Sequence, residues 1–186
     1  MKRRQIVVAG CAVLALTASG VLALQAQAEE NEQPQNQEGD EVELVVNGTF
    51  DDGLNGGWWS TGNVTMDVVD GRLCAQIPGG TVNPWDAIVG QNNIPLSQGS
   101  SYTFSFEASG DPGGQVRGVV GLAVEPFTAY FALSSPLTPS TLQFGQSFTA
   151  IETTTQGQVA FQVGGSADPW TFCVDNVSLL GAPGEG

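Results

Sequence analysis

From about Val42 to Leu180, apolar and polar residues alternate in short runs, and glycine, proline, asparagine or aspartate separates one run from the next. A period of two over five to nine residues is the mark of strands with one face buried and one face wet. The pattern predicts strands near 43–46, 64–69, 72–77, 87–90, 101–108, 116–124, 129–133, 143–149, 158–163 and 171–180. Asp70-Gly71, between two of these, predicts a tight hairpin. No stretch after Leu24 keeps a 3.6-residue period with capping residues, so little helix is expected. Many short strands with frequent turn signals make an all-β domain, a sandwich or a barrel. No internal repeat is visible.

The sharpest alternation lies in Gln158-Val159-Ala160-Phe161-Gln162-Val163. Val159, Phe161 and Val163 share one face and suit a core, which puts Gln158, Ala160 and Gln162 on the other. Two amides beside a small alanine form a flat, uncharged hydrogen-bonding strip. An amide donates and accepts at once, so it can meet sugar hydroxyls in either orientation. The plainer reading is a strand face that is simply solvated. Arg117, in the alternating run Val116-Arg117-Gly118-Val119-Val120, offers a donor fork from a neighbouring strand, or else a surface ion pair. Trp85 follows Pro84 at a loop or strand start, where a ring either packs inward or stands out to stack on a sugar face. Of Trp58 and Trp59, one ring is expected inside and the other outside; Trp170 is expected in the core. Asn92 and Asn93 can donate and accept, although a turn is their ordinary use. Asp86, Glu107, Glu125, Glu152 and Asp168 are scattered and form no short catalytic motif.

The N-terminus changes the picture of where the chain works. Met1-Lys2-Arg3-Arg4 is positive, Ile6 to Leu24 is apolar, and Ala26-Gln27-Ala28 is a small-x-small site, so residues 1–28 read as a secretory signal. An uncleaved anchor and a lipobox at Val8-Ala9-Gly10-Cys11 are the rival readings. Residues 29–43, EENEQPQNQEGDEVE, are acidic, amide-rich and without aromatics, and read as a disordered spacer. The domain is then 44–180, with a tail at 181–186. Removing the signal leaves two basic residues, Arg72 and Arg117, against 19 acidic ones, a net charge of −17. Such a surface repels polyanions, so no nucleic acid and no membrane is expected as partner after cleavage. No histidine is present, which excludes His-dependent triads. Cys74 and Cys173 form an even pair in an exported chain, and a disulfide is the default.

Four segments, in this order, carry a resemblance: Asn47–Gly53 with a following tryptophan; Asn83–Asp86 leading to Gln98–Phe106; Gly157–Gly165; and Trp170–Leu179. Together they resemble carbohydrate-binding modules of family 4, within the jelly-roll group that includes families 9 and 22. The resemblance spans about Leu44 to Leu180. It implies a jelly-roll sandwich of two antiparallel sheets, with a cleft across one sheet that holds a single β-glucan or xylan chain. Carried over by motif, Asn92, Arg117, Gln158 and Gln162 fall on hydrogen-bonding cleft positions, Trp59 and Trp85 on stacking positions, and Phe127 near another. Cys74 and Cys173 match the family's disulfide. A structural calcium is implied at the backbone oxygens of Thr49 and Gly71 and the carboxylate of Asp175, an all-oxygen set. Around Leu122 to Glu125 this chain is apolar where glucan-binding members are polar. The expected activity is binding without cleavage, by a secreted monomer. A small jelly-roll glycosidase and an adhesive envelope protein are the alternatives.

Overall fold

The computed structural model describes residues 41–182. Eleven strands form within them: β1 (Val42–Glu43), β2 (Trp58–Ser60), β3 (Thr65–Val69), β4 (Arg72–Ile77), β5 (Ile88–Leu96), β6 (Ser101–Gly110), β7 (Gln115–Leu122), β8 (Ala129–Pro136), β9 (Leu142–Thr149), β10 (Thr154–Gln162) and β11 (Trp170–Gly181). The helical content of these residues is one 3-10 turn at Pro84–Asp86. The proposed signal and nearly all of the spacer, with Cys11, lie outside the described residues. Val42 and Glu43 of the spacer span pair with Gly181 and Leu180.

Two antiparallel sheets make a jelly-roll sandwich. One has the order β3-β4-β11-β6-β9, with β1 also on β11; the other has the order β2-β5-β10-β7-β8. Alternation along β6, β10 and β11 sends Phe104, Phe106, Phe161 and Phe172 between the sheets, each at most 2% exposed. Their rings pack tilted or edge to face, as between Phe106 and Phe161 at 4.9 Å, the arrangement that aromatic quadrupoles favour. Asp70 and Gly71 both take positive φ, 51° and 78°, and close the expected hairpin. Cys74 and Cys173 face each other on β4 and β11 and are bonded, with 4.1 Å between their Cα atoms.

Three expectations need correction. The strand expected at 87–90 instead runs on through Asn92 and Asn93 to Leu96. Gln158 pairs with Asn92 but Gly157 pairs with Ile94, so Asn93 is the extra residue of a β-bulge, at φ 62°. A bulge shifts the two-residue phase by one. Asn92 therefore faces outward while Ile94 and Leu96 turn into the core. The second correction is β2, which three residues after two glycines gave no periodicity to reveal. The third is Leu44–Val46, expected as strand. Leu44 N donates to Leu179 O and Val45 N to the Glu43 carboxylate, while the buried Gln91 side chain accepts from Val46 N and donates to the oxygens of Val46 and Gly56.

Candidate functional site: a groove across the second sheet

The pairing registers of the five-stranded sheet fix which side chains stand side by side on its outer face. Gln158 faces Asn92 and Gly121; Ala160 faces Gly90 and Val119; Gln162 faces Ile88 and Arg117. Trp59 on β2 faces Gly90. Three parallel rows result, each running across the strands. The middle row, Trp59-Gly90-Ala160-Val119, is small and apolar apart from the indole at its end. The flanking rows carry Asn92 and Gln158 on one side and Gln162 and Arg117 on the other. Five strands at about 4.8 Å spacing make this a trough about 19 Å long.

Local sequence explains each placement. A Cβ at Gly90 would stand 3.2 Å from the Trp59 ring, so glycine lets the indole lie against the sheet. Trp59 Nε1 donates to Asn92 Oδ1 at 3.0 Å, which fixes the ring's orientation and uses the Asn92 oxygen. Trp58 turns the other way, 6% exposed, and donates to the oxygens of Val46 and Asn47. Arg117 donates from Nη1 to Gln162 Oε1 at 2.7 Å, a charge-assisted bond that holds both side chains along the wall. Gln158 Nε2 donates to the Leu122 carbonyl at 2.7 Å. Each amide is thus anchored by one end, and Gln158 Oε1, Gln162 Nε2 and Asn92 Nδ2 have no partner among the described residues.

Two loops add exposed rings to the walls. Trp85, 57% exposed, sits on the 3-10 turn before β5. The Asp86 carboxylate accepts from Asn83 N at 2.8 Å and Val82 N at 3.0 Å, which ties the turn to the preceding loop and lowers the carboxyl's pKa. Phe127, 60% exposed, stands in the β7–β8 loop after a cis Glu125–Pro126 bond, at φ 57°. A non-glycine residue in that region is strained, so the loop holds the ring out against a local cost.

All seven binding candidates, Trp59, Trp85, Asn92, Arg117, Phe127, Gln158 and Gln162, line this one cleft of about 760 Å³. Ile88, Val119, Ala123, Pro126 and Ala129 complete the lining. Ala123 falls in the apolar Leu122–Glu125 stretch noted in the sequence, whereas Ile88, Pro126 and Ala129 carry no signal there and Val119 only its alternation with Arg117 on β7. Among the described residues no aspartate or glutamate lines the cleft. Glu107 instead accepts from Gln143, Glu152 from the Tyr130 hydroxyl, and Asp86 serves its own loop. The calcium candidates lie apart, on the other sheet. Val177 N donates to the Gly48 oxygen, which brings Thr49 beside the β11 bulge that follows Asp175. Leu73 pairs with Val174, which brings Gly71 toward the same bulge. Two carbonyls and a carboxylate suit a hard cation. Among the described residues no group of three acidic, histidine or cysteine side chains could hold a metal, so backbone oxygens would have to supply most ligands.

A jelly roll whose aromatic-edged trough is walled by amides and a single arginine can hold a neutral ligand rich in hydroxyls. A family model described as a carbohydrate binding domain matches residues 42–171. Endoglucanase C of Cellulomonas fimi is 40% identical over an alignment of 147 residues that covers 75% of this chain and 13% of that protein. The N-terminal cellulose-binding domain of the β-1,4-glucanase C from the same bacterium is a solved relative at 33% identity and TM-score 0.61, covering 74% of this chain and 96% of its own. A solved family 4 carbohydrate-binding module matches at 35% identity and TM-score 0.65, over 70% of this chain and 98% of that one. The chain belongs to the carbohydrate-binding domain family, in the group that holds the family 4 modules.

Proposed function

We propose that the trough holds one uncharged polysaccharide chain, a β-glucan or a xylan, lying across the strands. The observation that carries this is the three-row floor: an apolar strip with a tryptophan at its end, between two rows of half-anchored amides. Sugar rings present two faces rich in C–H and an edge of hydroxyls. The faces suit Trp59, Trp85 and Phe127; the hydroxyls suit Asn92, Gln158, Gln162 and Arg117. Anchoring by Leu122, by Trp59 and within the Arg117–Gln162 pair preorganises these groups, so little side-chain entropy is lost on binding. The family relatives bind cellulose by name, which favours a β-1,4-linked glucan among the candidates.

Affinity electrophoresis of the chain in gels containing soluble β-1,4-glucan, β-1,3-glucan or xylan tests this. Retardation is expected in at least one gel, and Gln162→Ala and Trp59→Ala should each weaken it about tenfold or more, the scale of a lost central contact. Full retardation of both variants would mean that the trough is not the site.

We further propose a structural calcium at the oxygens of Thr49 and Gly71 and the carboxylate of Asp175, and export of a monomer through the signal at 1–28. Size-exclusion chromatography of secreted material checks both the cleavage and the monomer.

A further inference from the structure

Beyond the Gln162–Arg117 row the trough does not simply end. A second chamber of about 200 Å³ adjoins it, and the bonded pair Arg117 and Gln162 lines both spaces. The chamber continues in the direction of the strands, at right angles to the trough. Ser134, which faces Arg117 across β7–β8, stands at one side, and Gln115, two residues before Arg117, lies next along β7. Gly164 and Gly165 follow Gln162 and bring no side chain into the space.

Trp170 also lines it. The benzo edge of its ring abuts Gly110 and Gly114, where an added Cβ would come within 2.6 Å. The N–H lies on the opposite edge of the indole, buried out of reach of the chamber's contents and without an acceptor among the described residues. The residue as a whole is 6% exposed. The hydroxyl of Ser134 and the amide of Gln115 likewise have no partner among the described residues. No aspartate or glutamate lines the chamber. Its free side-chain groups, the Ser134 hydroxyl and the Gln115 amide, both donate and accept, as the hydroxyls of a sugar require.

We propose that this chamber takes a single-sugar branch of a polysaccharide whose main chain lies in the trough. This rests on the reading of the trough as a glycan site. The right angle carries the argument, since a linear chain continues across the strands whereas a substituent leaves it sideways. The volume is on the scale of one sugar ring, and it cannot admit a second chain. The ligand is a neutral branched glucan or xylan, because the surrounding chain is strongly acidic.

Isothermal titration of the chain with matched oligosaccharides tests the idea. One pair is a linear β-1,4-glucan oligosaccharide and the same backbone with single xylose branches. The other is a linear xylan oligosaccharide and the same backbone with single arabinose branches. The branched member of one pair should bind about tenfold more tightly, the return from one or two further hydrogen bonds. Ser134→Phe, at an exposed edge-strand position, should fill the chamber and bring the branched affinity down to the linear one. Gln115→Ala removes an unpaired amide from the chamber, and should cut the preference severalfold. Linear members that bind as tightly as their branched partners would overturn the branch site and leave the trough standing. No binding by any of the four would overturn both.

Discussion

The outer faces of the two sheets alternate alike in sequence yet differ in what their side chains do. On the first sheet they satisfy one another: Thr103 meets Ser147 at 3.0 Å, Gln143 donates to Glu107 at 3.1 Å, and Cys74 is bonded to Cys173. On the second sheet the amides are anchored at one end only, and no carboxylate lines the groove. Paired side chains occur on both faces, but the second alone sets its half-anchored amides in a groove beside the exposed rings of Trp85 and Phe127. Alternation finds an outer face, but open hydrogen-bonding groups beside exposed rings mark the one that binds.

That contrast predicts where damage shows. Cys74→Ala with Cys173→Ala frees a loop of 99 residues and should cost about 2–5 kcal/mol of folding stability. Glycan affinity, measured below the new melting temperature, should stay unchanged. Chemical denaturation and titration of the same variant check both halves. A large affinity loss would mean that the two faces are mechanically coupled.

Calcium should follow the same rule with a smaller effect. An ion held at about a hundredfold excess over its dissociation constant stabilises by about 2.7 kcal/mol. Chelation, followed by thermal unfolding with and without added calcium, should therefore lower the melting temperature. Asp175→Asn should make the chain indifferent to chelation. An unchanged melting temperature in the parent would remove the proposed site.

Much of this was legible in the residues. Val159, Phe161 and Val163 are buried as their spacing requires, and β4 begins and ends where its pattern does. The site was less legible, for two physical reasons. Nothing local tells that Asn93 is a bulge residue, so the phase that turns Asn92 outward and Ile94 inward was hidden. The rows themselves are a matter of register between strands far apart in the chain. Gln158 and Asn92 are neighbours because of pairing, and no periodicity within either strand contains that fact. Trp85 and Phe127 reach the groove from loops, where alternation says nothing.

The smallest expected effect separates the faces by pH. Asp86 holds the Trp85 turn through the backbone N–H groups of Asn83 and Val82, and these bonds lower its pKa below the ordinary 3.8. A carboxylate whose pKa is lowered by folding contributes above its ordinary pKa, and the contribution fades as pH falls through the lowered value. Glycan affinity should therefore be flat from about pH 8 to pH 5 and weaken only below the ordinary carboxylate range. Asp86→Asn cannot make the same charged bonds and should show at neutral pH the modest weakening that the parent shows only in acid. Because Trp85 is a wall residue and Trp59 a floor residue, the loss should be smaller than that from Trp59→Ala. Titration of the parent and Asp86→Asn across this range, with circular dichroism to confirm folding at each pH, decides it. An affinity that falls already between pH 8 and pH 5 would show that some other titrating group governs the groove.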